Sequence, residues 1–178
     1  MFKKILFAAS AMLAVASASH HHFAEEEDQI EVFQANWNVA GTKALVKEFE
    51  GLYLKAYTCP AGVWTIGWGH TKGVKSGMTI TKAQAETYLT NDLQVFADCV
   101  TKTIKKPLNQ NQRGALVSFS FNVGCGALQT STLARRLNAG ENPNTVAKQE
   151  LPKWVNGGGR KLPGLVRRRE AEIKFFTS

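Results

Sequence analysis

The chain has 178 residues, of which 44% are hydrophobic and 20% charged, a composition typical of a globular domain and not of a fibrous or disordered chain. Its net charge is +8, and from Trp37 onwards 20 basic and 9 acidic residues give a net charge of +11. A surface so basic favours polyanionic partners such as nucleic acid, anionic lipid or an anionic cell wall.

The N-terminus has the pattern of a signal peptide. Lys3 and Lys4 precede an apolar stretch over 5–15, and the small residues Ala16-Ser17-Ala18 follow. The alternative is a membrane anchor, but the apolar stretch is shorter than the ~20 residues that a spanning helix needs. We therefore predict a signal peptide over 1–18, and export makes nucleic acid the least favoured partner.

Residues 19–36 combine His20-His21-His22 with a cluster of acidic residues and lack hydrophobic periodicity. This pattern predicts an acidic, solvated leader or propeptide outside the folded domain. A metal-binding or expression tag is the alternative for the histidines. The remaining residues, 37–178, form the predicted folded domain.

The periodicity of the domain predicts helices separated by one small β region. Apolar residues share one face over 38–50, and Gly51 can end that helix. Short strands and turns are predicted for 52–68. Thr81 with Gln84, and Asn109 with Gln112, resemble capping boxes. The further predicted helices are 82–101, 110–123, 132–138, 144–154 and a basic amphipathic helix over 165–176, with a turn at 124–126. The fold class is therefore α+β.

Glu50, Cys59 and Thr65 have a spacing that suits glycosidic bond cleavage. This chemistry needs an acid that protonates the leaving oxygen and a second group that positions or activates water. Glu50 ends the first predicted helix, where the helix dipole disfavours the ionised carboxylate, and an apolar neighbourhood would add to this effect. These features predict that Glu50 is a general acid.

Longer motifs resemble the phage-type lysozymes, glycoside hydrolase family 24. They are Phe49-Glu50-Gly51-Leu52, the segment 62–71 (GVWTIGWGHT), 115–119 with 121–124, Ser131-Thr132-Leu133 and 162–169 (LPGLVRRR). The resemblance implies a lysozyme-like fold in which a small β wing packs on a mainly helical lobe, with the active cleft between them. It also implies hydrolysis of the β-1,4 bond between N-acetylmuramic acid and N-acetylglucosamine in bacterial peptidoglycan.

The resemblance also implies residue roles. Glu50 matches the general acid of the family and Thr65 the threonine that holds the attacking water. Cys59 falls where many members have aspartate and a subset has cysteine. Because a thiol is mostly neutral at pH 7, we expect Cys59 to support the water and not to act as a strong base. From spacing alone, Cys59 could equally be half of a disulfide or a buried small residue.

Four further residues are candidates for substrate binding. Phe121, Asn122 and Thr132 match positions that line the sugar cleft of the family, although Phe121 could instead belong to the core. His70 could contact substrate or serve a structural role. Arg167-Arg168-Arg169 are most simply interpreted as a solvated basic face, one member of which could approach Glu50.

The three cysteines allow at most one disulfide within the monomer. Cys99 lies near the end of one predicted helix and Cys125 in the turn that ends another, so the two could meet without disturbing the cleft. We predict the Cys99–Cys125 bridge, with Cys59 outside it. The cysteine and histidine spacing does not match a zinc site, and neither a metal nor a cofactor is expected.

Two other functions are compatible with the sequence. A lytic transglycosylase also uses one essential glutamate but closes the muramic acid on itself and leaves anhydro ends. A cationic membrane-disrupting antibacterial protein would explain the net charge and the basic terminal helix. The favoured prediction is a secreted, monomeric lysozyme that acts on peptidoglycan, without nucleic acid and without a stable membrane anchor after signal cleavage.

Overall fold

The computed structural model describes residues 36–59 and 62–178. The predicted signal peptide, 1–18, and the predicted leader apart from Asn36 lie outside the described residues. Packing begins at Trp37, whose side chain is buried in the core. Within the described ranges, no helix combines the length and the apolar character that a bilayer span requires.

The first half of the domain contains a helix, a small sheet and a long helix. Helix α1 spans Val39–Glu50, and Gly51 ends it with a φ of 70°. Strands β1 (Tyr53–Thr58) and β2 (Trp64–Gly67) pair antiparallel and form the β wing. Helix α2 spans Lys82–Thr103 and starts with the predicted capping box at Thr81. The predicted α+β class, with a small sheet attached to a helical lobe, is confirmed.

The second half is almost entirely helical. Its helices are α3 (Gln110–Val123), α4 (Cys125–Thr130), α5 (Thr132–Asn138), α6 (Pro143–Glu150) and α7 (Pro163–Phe176). A 3₁₀ turn over Leu151–Lys153 follows α6, and a two-residue hairpin joins β3 (Asn156–Gly157) to β4 (Arg160–Lys161). The predicted turn at 124–126 is wrong because Cys125 begins α4. The predicted helix over 144–154 ends early because Pro152 interrupts it.

Helix α3 is the central element, and it packs against α1, α2, α4 and α7. The contact with α1 and α7 is close at Gly114, where a Cβ atom would lie 2.5 Å from Thr42 Oγ1 and 3.0 Å from a ring carbon of Phe175. A larger residue would therefore push α1 and α7 away from α3. Since Glu50 ends α1, this contact helps to position Glu50.

Candidate active site

A cleft with a volume of about 390 Å³ lies between the segment that follows β2 and the helical lobe. Helix α1 contributes its last residue, the segment after β2 contributes one wall, and α2 and α3 contribute the opposite wall. Its lining residues are Glu50, Gly69, Thr71, Lys72, Asp92, Val95, Phe96, Phe121 and Asn122. Three of the residues predicted from the sequence, Glu50, Phe121 and Asn122, thus share one cleft.

Glu50 is oriented by an ion pair. Its Oε1 atom accepts a hydrogen bond of 2.5 Å from Nη1 of Arg168 on α7. Its Oε2 atom lies near Gly69, where a Cβ atom would be 3.8 Å away. Gly69 has a φ of 93°, which favours glycine, and the missing side chain leaves this side of the carboxyl group open. The surroundings of Glu50 therefore combine a guanidinium partner with the apolar side chains of the cleft lining, Val95, Phe96 and Phe121.

Arg168 belongs to a buried network that also includes Arg169 and Glu172. Arg168 Nε and Arg169 Nε lie 3.3 and 2.8 Å from the two carboxylate oxygens of Glu172. Ser118 Oγ donates a further hydrogen bond of 2.9 Å to Glu172. Burial raises the pKa of Glu172, and the positive charges of Arg169 and Arg168 oppose that effect. The interpretation of 167–169 as a solvated basic face holds only for Arg167, because Arg168 and Arg169 are buried.

Cys59 and Thr65 meet at one backbone carbonyl group. The Cys59 N–H and the Thr65 hydroxyl both donate hydrogen bonds of 3.0 Å to the carbonyl oxygen of Val63. Thr65 is buried and Cys59 is half-buried. Because its proton is directed at Val63, the Thr65 hydroxyl presents its lone pairs to any other partner.

Tyr57 is a neighbour of Thr65 in the β wing. It faces Thr65 across the two strands, and its ring centroid lies 4.4 Å from that of Tyr53. Burial raises the pKa of Tyr57, and negative charge at Tyr53, Cys59 and Glu50 raises it further.

His70 has a structural environment. Its Nδ1 lies 2.8 Å from Asp92 Oδ2, its Nε2 donates a hydrogen bond of 2.9 Å to the carbonyl oxygen of Lys72, and its ring stacks on Tyr88 at 4.4 Å. Both ring nitrogens are therefore used within the protein. A direct contact of His70 with substrate remains a prediction.

Phe121, Asn122 and Thr132 have different surroundings. Phe121 packs edge-on against Phe96 at 5.5 Å between ring centroids, on the cleft wall. Asn122 Oδ1 accepts a hydrogen bond of 2.9 Å from Arg169 Nη2, which leaves the amide NH₂ group to face other partners. Thr132 is exposed at the start of α5 and is not among the described residues that line the cleft.

The predicted disulfide is present in the structure. Cys99 on α2 is bonded to Cys125 at the start of α4, with a Cα–Cα distance of 6.1 Å. Across the two described ranges, no group of three or more histidine, cysteine or acidic residues is arranged to hold a metal ion.

A small antiparallel sheet attached to a helical lobe, with a carboxyl group at the end of a helix in a cleft, agrees with a glycoside hydrolase of the lysozyme class. The model of the phage lysozyme family matches residues 47–172. The chain belongs to this family.

Individual relatives agree with this assignment. The chain is 46% identical over 138 residues to an endolysin of Acyrthosiphon pisum secondary endosymbiont phage 1, a match that covers 75% of this chain and 93% of that protein. It is 40% identical over 124 residues to a SAR-endolysin of Bacteriophage PS119, with 69% and 73% of the two chains covered. The solved muramidase domain of SpmX from Asticaccaulis excentricus superimposes with a TM-score of 0.72 at 36% identity, covering 80% of this chain and 99% of that domain.

Proposed function

We infer that this chain is a lysozyme that hydrolyses the glycan strands of bacterial peptidoglycan, with Glu50 as the general acid. The observation that carries the assignment is the position of Glu50 in the cleft, at the end of α1, in a member of the phage lysozyme family. The bond to be cleaved is the β-1,4 bond between N-acetylmuramic acid and N-acetylglucosamine.

The two oxygens of Glu50 have different roles in this proposal. Oε1 is engaged as the acceptor of the hydrogen bond from Arg168. Oε2, on the side of Gly69, is the atom that protonates the leaving oxygen. Arg168 thus fixes the orientation of the acid, as general acid catalysis requires.

Cys59 and Thr65 hold the attacking water. The Thr65 hydroxyl donates to Val63 and accepts a hydrogen bond from the water, which directs a water lone pair away from Thr65 and towards the sugar. The Cys59 thiol confines the water from a second side. This assignment is supported by the hydrogen bonds that the Cys59 backbone N–H and the Thr65 hydroxyl donate to the same Val63 carbonyl oxygen, which make the two residues neighbours.

Phe121 and Asn122 bind the sugar rings along the helical wall of the cleft. The Phe121 ring offers an apolar surface, and the Asn122 amide donates to sugar oxygens while Arg169 holds its carbonyl oxygen. His70 contributes to substrate binding indirectly, because its hydrogen bond to the Lys72 carbonyl oxygen fixes the backbone of the cleft edge. Thr132 contacts substrate only if the glycan extends beyond the cleft lining.

Export of the chain completes this proposal. The segment 1–18 acts as the signal peptide and 19–36 as a leader, and the domain from Trp37 acts as a monomer outside the membrane. The Cys99–Cys125 disulfide supports export because such bonds form in oxidising compartments. The substrate also lies outside the cytoplasmic membrane.

Mass analysis of the products tests the reaction. Purified peptidoglycan is digested with the folded domain, and each new glycan end is weighed. We expect ends that have gained one water molecule. Anhydro ends would show that the chain is a lytic transglycosylase, and killing of cells without any cleaved strands would show that it is a membrane-disrupting protein.

A further inference from the structure

Three ionisable side chains line the described part of the cleft together with its apolar wall. Glu50 is paired with Arg168, and Asp92 faces the His70 ring. Lys72 lines the same cleft, is exposed, and has no ion pair among the residues that the structure describes. Lys72 is therefore the cation among the described lining residues, and it is not engaged in an ion pair with any of them.

The sequence around Lys72 strengthens its positive field. Between 51 and 85 the chain has no aspartate or glutamate, and its four lysines are all exposed. These are Lys55, Lys72, Lys75 and Lys82. Of the four, only Lys72 is among the residues that line the cleft. The four lysines would attract an anionic group of a ligand towards this side of the cleft, and Lys72 is the lysine that such a group could contact directly.

The backbone at Lys72 is fixed although the side chain is exposed. Its carbonyl oxygen accepts a hydrogen bond from His70 Nε2, and the other ring nitrogen of His70 lies against Asp92 on α2. The stacking of His70 on Tyr88 adds a second attachment to α2. The Lys72 ammonium group is thus tethered at the cleft edge by a rigid segment, while its long stem lets it follow a mobile partner.

We propose that Lys72 binds a carboxylate of the peptide that branches from the glycan strand, and that it selects strands whose peptides carry that charge. This inference rests on the proposed function, because the peptide enters the cleft only when the glycan does. A muramic acid that bears a peptide has its own lactyl carboxyl group in an amide bond, so the remaining carboxylates belong to the peptide. A compact ammonium group suits such a flexible carboxylate.

The test compares Lys72→Met with Lys75→Met, an equally exposed lysine of the same segment outside the cleft lining. Lys72→Arg serves as the variant that retains the charge. The substrates are soluble peptidoglycan fragments free of teichoic polymers, either untreated or with their carboxylates converted to methylamides by carbodiimide and excess methylamine. The value of kcat/KM is measured for each protein on each of the two substrates. The salt concentration is 0.15 M, at which exposed charges more than ~8 Å apart are largely screened.

We expect Lys72→Met to lower kcat/KM on untreated fragments by about fivefold, mainly through KM, and to match the wild type on methylamide fragments. Lys72→Arg and Lys75→Met should stay within about twofold of the wild type on both substrates. Equal losses by Lys72→Met on both substrates, no loss on either, or an equal loss by Lys75→Met would overturn the proposal. Failure of the wild type to cleave any fragment would instead contradict the proposed function.

Discussion

Arg168 and Glu50 are separated by 118 positions in the sequence, yet Nη1 of Arg168 donates a hydrogen bond of 2.5 Å to Glu50 Oε1. The contact joins the last residue of α1 to the middle of α7. Because both helices pack on α3, the orientation of the candidate acid depends on how these three helices fit together. The same guanidinium also lies against Glu172, so the site and the core share one charged network.

Replacement of Arg168 by methionine should reduce both stability and activity. It removes a buried cation from Glu172 and the donor that orients Glu50. Loss of one member of a buried ion pair costs about 3 kcal/mol, and we expect a decrease of this size in the free energy of unfolding. Urea denaturation measures it. Arg167→Met, at the exposed neighbour, is the control and should change stability by less than about 0.5 kcal/mol. Similar values for the two variants would contradict the buried network.

Thr65 should depend on its hydroxyl group more than on its methyl group. Thr65→Ser keeps the hydrogen bond to Val63 and the lone pairs offered to water, whereas Thr65→Ala removes both. We expect Thr65→Ala to lose about 10²-fold or more in the initial rate of peptidoglycan hydrolysis, and Thr65→Ser to retain most of the rate. Equal rates for the two variants would exclude a water-holding hydroxyl.

The Cys99–Cys125 disulfide should stabilise the domain mainly through the unfolded state. It closes a loop between residues 26 positions apart. The chain-entropy model assigns such a loop about 3 kcal/mol, and the double variant Cys99→Ser/Cys125→Ser should lose about that amount of free energy of unfolding. Cys59→Ser, which leaves the bridge intact, is the control. A loss under about 1 kcal/mol would show that the bridge contributes little.

Glu150 should make stability depend on pH in the acid range. A hydrogen bond from Lys153 and one from Arg136 hold the pKa of this buried carboxyl below its ordinary value of 4.5. Because the pKa is lower in the folded state, the stabilisation is complete above 4.5 and is lost as pH falls through the folded pKa. Glu150→Gln should therefore be less stable than wild type by about 1 kcal/mol at pH 7, and the difference should shrink in acid.

Unfolding curves of both proteins between neutral and acidic pH provide the measurement. Glu170→Gln is the matched control, since Glu170 is exposed on α7 and has no ion pair among the described residues. A constant difference between wild type and Glu150→Gln across the pH range would exclude the ion pairs as its cause.

Local signals predicted most of the fold. The capping boxes at Thr81 and Asn109 are both formed, and Leu45 and Val46 on the predicted apolar face of α1 are buried. Helix α3, in contrast, is buried on all sides over 113–120. The errors occur in short segments whose secondary structure depends on tertiary contacts. Helix α4 has six residues, which is too short for a periodic pattern, and the hairpin β3–β4 has two-residue strands. Neither segment carries enough sequence for its pattern to be recognised.

The candidate site could be proposed from residues that are close in sequence. The spacing of Glu50, Cys59 and Thr65 suits glycosidic bond cleavage, and the family resemblance suggested their individual roles. Those roles stay predictions, and of the three residues Glu50 is the one found among the described residues that line the cleft. The role of Arg168 depends on a contact across 118 positions, and its cationic side chain at a helix of mixed charge gives no sign that it is buried. The position of Lys72 in the cleft was equally hard to predict, because an isolated lysine in a loop is usually only a solvated charge. Only the packing of His70 on α2 places Lys72 at the cleft.

The most direct test of the account is the clearing of a peptidoglycan suspension by wild type, Glu50→Gln and Glu48→Gln. Glu48 is exposed on the same helix, so its variant has the same change in charge without a place in the cleft. Glutamine at position 50 can still accept the hydrogen bond from Arg168 but cannot supply a proton. We predict that Glu50→Gln folds normally and clears at least ~10²-fold more slowly, while Glu48→Gln matches the wild type. A Glu50→Gln variant that keeps more than about a tenth of the wild-type rate would contradict general acid catalysis by Glu50.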